Sequence, residues 1–280
     1  MGREENVAIF NDTAKLCKEN TRLKESVRKA TEAQKLILET DVLPEQDKKL
    51  FEEPAKVVVS KKRTFEAAKA YKGRKVAVHN FASASNPGGG VERGASAQEE
   101  CLCRCSGLFF SLSTPQMRNG FYQPHRDAHD PLHNDDIIYT PGVTVFKTDT
   151  SRPELMPESE WYDVDVITCA APNLRDQPSN SYNTGDGNRS VRIKDSELQA
   201  LHEKRLRRIL EIALSMGRDT IILGAFGCGA FENNPEVVAE ASLKVIKEYL
   251  YAFKTIEFAV YCSPWDKRNY EVFERKMERV

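Results

Sequence analysis

Neither sign of charge predominates in this 280-residue chain, which sets 41 lysines and arginines against 42 aspartates and glutamates. With no global positive field, direct nucleic-acid binding is not expected, although a total of this kind says nothing about a local basic patch. No stretch approaches the roughly 18 to 20 consecutive apolar residues that span a bilayer, so no membrane association is expected either. The start, Met1-Gly2-Arg3-Glu4-Glu5-Asn6, lacks the basic and then apolar run of a secretory signal, and Asn6 stands where a myristoylation motif wants serine or threonine. Seven cysteines, an odd number in a chain long enough to need no staples, are expected to be reduced thiols. These absences predict a soluble, cytoplasmic protein.

Metal-binding patterns are also weak. Cys101, Cys103 and Cys105 alternate, but on a helix successive members point about 200° apart and do not converge on one ion. His125, His129 and His133 recur every four residues, yet Pro124 and Pro131 argue against the helix that would align them, so a polar loop on the rim of a site is expected. The sequence thus calls for no metal and no cofactor.

What is present is an alternation of apolar runs and amphipathic stretches. Strands are expected at 56–60 (KVVVS), 75–80 (KVAVHN), 163–170 (DVDVITCA), 220–226 (TIILGAF) and 255–262 (TIEFAVYC). Helices are expected at 64–71, at 195–216 behind Asp195 or Ser196, and at 235–251 behind Asn234 with Pro235 in the first turn. Residues 13–39 read as one long helix, or two broken near Thr31, and residues 1–55 as an N-terminal helical extension packed on a core formed by 56–280. The pattern predicts an α/β fold: a three-layer α/β/α domain with a mixed, largely parallel central sheet. Two long polar stretches, 111–136 and 172–189, interrupt it and are read as loops.

In such a sheet ligands bind at the carboxyl ends of strands, and two glycine-rich segments sit there. The first contains Asn86-Pro87-Gly88-Gly89-Gly90-Val91. Three consecutive residues without a Cβ let the backbone approach a ligand closely and offer N–H groups to phosphate or sugar oxygens, though a structural turn is the plainer alternative. Ser96 and Glu99 then stand in the S-x-x-E relation of a helix capping box, which accounts for Glu99 but leaves Glu100 over. A helix N-terminus favours an ionised carboxylate, so burial or a nearby anion would have to raise the pKa of Glu100 before it could act as an acid.

The second segment, Gly224-Ala225-Phe226-Gly227-Cys228-Gly229-Ala230-Phe231, leads through Asn234-Pro235 into a long helix. Strand, glycine loop and helix N-terminus together form an anion site suited to a diphosphate. It matches neither a P-loop nor a dinucleotide fingerprint. The structural alternative for Phe231 is a core aromatic, and Cys228 reads as a small lining residue without an activating base.

Gly88-Gly89-Gly90, seven residues, then Gln98-Glu99-Glu100 resembles the GGG-x(6–8)-QEE signature of poly(ADP-ribose) glycohydrolases, and Asn80-Phe81-Ala82-Ser83-Ala84 with Asn86-Pro87 is similar to the bacterial-type branch. The resemblance implies a macrodomain that hydrolyses ribose–ribose bonds of poly(ADP-ribose) and releases ADP-ribose. It implies Glu100 as general acid and base, with Glu99 orienting the hydroxyls around the scissile bond. Asn86, Gly88, Gly89, Gly90, Val91, Gln98, Phe226, Gly227, Cys228, Gly229, Ala230 and Phe231 would bind substrate, Phe231 against the ribose beside the scissile bond. Removal of single ADP-ribose groups from protein or nucleic acid, and non-catalytic ADP-ribose binding, are the alternatives that share the two loops.

Overall fold

A computed structural model describes residues 2–180 and 185–280. Its sheet has seven strands: β1 (Lys35–Ile37), β2 (Lys56–Ser60), β3 (Val76–Ala82), β4 (Ile137–Val145), β5 (Tyr162–Ala170), β6 (Thr220–Leu223) and β7 (Thr255–Ala259), in the order β1-β4-β5-β3-β6-β7-β2. β5, β3, β6, β7 and β2 are mutually parallel; β4 runs antiparallel to β5, and β1 antiparallel to β4. The mixed, largely parallel sheet expected from the alternation is therefore present.

Along each strand successive side chains enter opposite cores, as the two-residue period requires. Ala77, Ile221 and Ile256 face a core filled by Ile209 and Leu210 of α8 (residues Asp195–Ser215), Val238 and Leu243 of α9 (residues Pro235–Ile246), and Phe273 of α10 (residues Arg268–Met277). Val78, Ile222 and Val166 face the other core. There Phe10 and Cys17 of α1 (Arg3–Glu19), Leu23 of α2 (Thr21–Ala33), Phe65 of α3 (Thr64–Lys69) and Leu102 of α4 (Gln98–Cys105) close the third layer. Asn234 caps α9 by accepting from the Glu236 N–H at 3.1 Å, with Pro235 in the first turn as its sequence position predicts.

Three expectations change. The break in the N-terminal helix lies at Asn20, whose side chain accepts from the Leu23 N–H at 3.1 Å and starts α2, and residues 35–37 leave the helix to form the sheet's edge strand. β4 is absent from the expected strands, because Pro141-Gly142 falls inside it; the register shifts between Thr140 and Val143, and Gly142 takes φ +62°. The stretch 111–136 is not simply a loop. It continues from α5 (Leu108–Leu112) through α6 (Pro115–Met117) and a π turn to α7 (Gln123–Ala128). Pro124 is tolerated because it lies in the first turn of α7. His125 is buried in that helix and His133 beyond it, with their rings 5.9 Å apart, while His129 ends the helix with φ +49° and stays exposed, so the three do not converge.

The expected loop 172–189 lies partly at 181–184, outside the described residues. No helix among the described residues is long and apolar enough to cross a membrane.

Candidate active site

β3 and β6 are parallel neighbours, so the two glycine segments leave the same edge of the sheet side by side. Between them opens a cleft of about 900 Å³. Gly89, Gly90, Gln98, Glu99, Glu100, Gly227, Gly229, Ala230 and Phe231 line it.

Gln98 fixes α4 to β3. Its Oε1 accepts from the Phe81 N–H at 2.9 Å, and its Nε2 donates to the His79 carbonyl at 2.7 Å and the Thr64 hydroxyl at 3.0 Å. The next two residues are thereby held under the Gly88–Gly90 turn. Glu99 accepts from Asn80 Nδ2 at 3.2 Å and from the Ser83 N–H at 2.8 Å. It therefore does not close a capping box: the N-cap of α4 is Ala97, with no side-chain cap, and the Glu99 carboxylate turns back toward the β3 loop. Glu100 Oε1 accepts from the Gly90 N–H at 2.8 Å. Its other oxygen, Oε2, is buried without a hydrogen-bond partner among the described residues.

Gly89 explains the need for glycine here. It sits at φ +58°, and a Cβ built on it would fall on Glu100 Oε1 and within 3.2 Å of Glu99 Oε2. The carboxylates occupy the space a side chain would take.

Burial decides the electrostatics. Desolvation pushes Glu99 up to about 8, against the lowering effect of the Ser83 amide, with the Glu100 charge adding to the rise. Desolvation likewise raises Glu100, opposed by the Gly90 amide and by Arg104. The first-turn position favours ionisation by an amount typically under about 1 kcal/mol, which loss of hydration exceeds at a site this enclosed. Both groups lean toward the neutral acid.

The second loop is built around Asn233. Its Nδ2 donates to the carbonyls of Pro172 (2.6 Å), Gly227 (3.2 Å) and Phe231 (3.2 Å), and its Oδ1 sits 2.8 Å from His202 Nε2. An amide oxygen only accepts, so His202 carries its proton on Nε2. Burial lowers the His202 pKa to about 4, which keeps the ring neutral. Gly227, at φ +77°, lies so near Asn233 and Ala171 that a Cβ would meet each at 2.8 Å. Phe231 is half-buried at the cleft, with the Arg175 guanidinium 5.5 Å from its ring centroid.

The remaining candidates do not line the cleft. Asn86 accepts from Arg126 Nη2 at 2.6 Å; Gly88 backs onto Phe109, Cys103 and Val91; and Val91 is fully buried. Phe226 turns inward among His79, Phe81 and His202, because β6 ends at Leu223 and the chain has already curled. The Cys228 side chain packs on the core, where burial raises its thiol pKa, so it is no nucleophile. Cys101, Cys103 and Cys105 are buried in α4 with their thiols pushed up, and among the described residues no group of His, Cys, Asp and Glu is arranged to hold a metal.

Several lining residues carry no signal in the sequence. Arg175 and Asn180 come from the 172–189 stretch, Arg3 and Asn6 from α1, and Arg63, Asp149 and Tyr261 from segments without any motif. Asn6 Nδ2 donates to the Gly94 carbonyl at 2.9 Å, which places the N-terminal helix against the loop ahead of α4. Asp149 accepts from the Phe65 N–H at 2.9 Å and is pushed up to about 6 by burial.

A mixed, largely parallel sheet whose two glycine loops and paired buried carboxyls border one cleft is the framework of a hydrolase of the glycosidase kind. Residues 4–148, more than half of the chain, match the family model described as the microbial-type PARG catalytic domain, and the chain belongs to this family of poly(ADP-ribose) glycohydrolases. Solved structures agree along its length. Poly(ADP-ribose) glycohydrolase from Thermomonospora curvata superposes with a TM-score of 0.82 at 29% identity, covering 98% of this chain and 99% of that one. The same enzyme bound to the inhibitor ADP-HPD gives 0.79 at 28%, with equal coverage. The Deinococcus radiodurans enzyme in complex with ADP-ribose gives 0.74 at 31% identity, covering 91% and 98%. Among curated proteins compared by sequence there is no match.

Proposed function

We propose that the chain cleaves the ribose–ribose O-glycosidic bonds of poly(ADP-ribose), releasing ADP-ribose, with Glu100 as the one residue that moves protons. The observation that carries this is the state of its carboxyl group. Glu100 lines the cleft with Oε1 anchored by the Gly90 amide, whereas Oε2 is buried without a partner among the described residues, and burial shifts the group toward its protonated form.

Oε2–H donates its proton to the departing ribose oxygen as the C–O bond breaks and an oxocarbenium-like centre develops at the anomeric carbon. Glu100, now ionised, takes a proton from the water that attacks that carbon, which restores the acid. Glu99, held by Asn80 and Ser83, orients the hydroxyls flanking the bond. The loop that Asn233 shapes and the Gly88–Gly90 turn grip the diphosphate and distal ribose, and Phe231 packs on that ribose. The ADP-ribose complex of the Deinococcus enzyme, similar over nearly its whole length, supports this assignment of the cleft.

In the same reading, residues 56–280 form the catalytic macrodomain and residues 1–55 an extension that contributes to one wall of its cleft. Seven unpaired cysteines favour the reducing cytoplasm as its place of work.

Incubation with poly(ADP-ribose) and measurement of free ADP-ribose tests the mechanism. Glu100→Gln is expected to lower the rate by about 10²- to 10⁴-fold, as for loss of a general acid–base. Equal release by parent and variant removes Glu100 from the chemistry.

A further inference from the structure

β2 and β7 are parallel neighbours, so the segments leaving their carboxyl ends, 61–63 and 260–268, emerge together. They carry Lys61, Lys62, Arg63, Lys267 and Arg268 against one acid, Asp266. Ring contacts tie this corner together: Lys61 Nζ lies 4.7 Å from the Tyr270 centroid and the Arg63 guanidinium 4.0 Å from that of Tyr261. Lys61, Lys62, Lys267 and Arg268 make no ion pair among the described residues, whereas Arg63 donates to Cys101 Sγ at 3.4 Å and faces the Asp149 charge. In the same loop Trp265 is 94% exposed, and Tyr261 is 51% exposed. An indole left almost wholly in water is unusual for a residue that otherwise buries a large apolar area.

This corner is continuous with the cleft, because its Arg63 and Tyr261 also line the cleft. Asn269 Nδ2, in the first turn of α10 directly after this loop, reaches the Cys228 carbonyl at 3.5 Å, so the start of α10 borders the second glycine loop. Unneutralised basic groups beside exposed aromatic faces are what a single-stranded polyanion with stacking bases requires. A chain of near-zero net charge concentrates them here, at the mouth of a site whose substrate is itself such a polymer, with two phosphates and one adenine in every unit.

We propose that this face docks the part of the poly(ADP-ribose) chain that lies outside the cleft, Lys61, Lys62 and Lys267 pairing with its diphosphates and Trp265 stacking on an adenine. The inference rests on the glycohydrolase reading above. Its consequence is a preference for long chains over the shortest cleavable one, two units joined by one bond.

Fluorescence anisotropy with labelled long and two-unit chains, in a Glu100→Gln background that halts turnover, reads this directly. Long chains are expected to bind about tenfold more tightly than the two-unit chain, in line with one base stack and a few neutralised phosphates. Lys61→Ala/Lys62→Ala/Lys267→Ala and, separately, Trp265→Ala should remove that excess. Two-unit binding, and two-unit turnover with Glu100 in place, should stay unchanged. The slope of log Kd against log salt should fall by about 0.7 for each phosphate that the variant leaves unneutralised. The corresponding lysine-to-arginine triple variant should restore tight binding, which separates charge from misfolding. Equal affinity for long and two-unit chains, or alanine variants that keep the excess, overturns the proposal. So does single-stranded DNA that binds as tightly and is weakened by the same variants. Tight, patch-dependent binding by a parent that releases no ADP-ribose would leave the docking face standing and refute the enzymatic reading.

Discussion

Replacing Gly89 by alanine tests whether the turn and the carboxyls interlock as the structure shows. Two effects add. A left-handed φ of +58° strains any L-residue by about 1–2 kcal/mol. The new methyl also falls on Glu100 Oε1, so that carboxyl must leave the Gly90 amide, at a cost of about 1 kcal/mol for the hydrogen bond. A total of about 2–3 kcal/mol lowers Tm by roughly 4–12 °C for a chain of this size. Catalysis suffers more, because displacing a reacting group by about 1 Å reduces rates about 100-fold. Gly217→Ala isolates strain from collision: Gly217 has φ +67° and nothing within 4 Å of a built Cβ. Thermal unfolding together with initial rates of ADP-ribose release should show both variants destabilised and only Gly89→Ala slow. A Gly89→Ala protein with parental kcat would refute the interlock and the placement of Glu100 with it.

Glu99→Gln should stabilise the protein at pH 8 and hardly at all at pH 4. A carboxyl whose folded pKa is raised keeps its proton longer than the unfolded chain does, so stability falls as pH climbs from about 4.5 to about 8, by on the order of a few kcal/mol; parallel Tm–pH curves for parent and variant would contradict it. Activity that needs Glu100 in its acid form should fall as pH rises through its elevated pKa, and a kcat profile flat into the alkaline range would count against that state. Asn233→Ala strips three carbonyls of a shared donor and should destabilise by about 2–3 kcal/mol while raising KM more than it lowers kcat. Steady-state kinetics distinguish that from a catalytic defect, which would show the reverse.

β3, β5, β6 and β7 are legible because each is buried on both faces and so reads as a short apolar run, and β2, only half-buried at the sheet's edge, is legible from its three consecutive valines. β4 is not, because Pro141 and Gly142 break its pattern where the strand bulges. Gln98 and both glutamates stand out by spacing and resemblance, yet the S-x-x-E relation misassigns Glu99. Local sequence shows that a carboxylate can reach a helix cap, not that Asn80 and the Ser83 amide compete for it from another element. Phe226 belongs to the site only if its strand runs on; once the chain turns at Leu223 the ring points away from the cleft. Arg63, Asp149, Arg175 and Tyr261 carry no local signal at all. Only the order of strands in the sheet makes them neighbours.

Two buried carboxyls that favour their protons also change what an approaching anion meets. With Glu99 pushed up to about 8 and Glu100 shifted the same way, the floor of the cleft bears less negative charge near neutral pH than two free glutamates would, so a diphosphate meets less repulsion. The same floor becomes an ion pair waiting to form for any ligand that carries a fixed positive charge beside Glu99. Such a ligand would expel a proton as it binds, and its affinity would climb with pH where the natural reaction fades. Calorimetry in buffers of different ionisation enthalpy would register that proton.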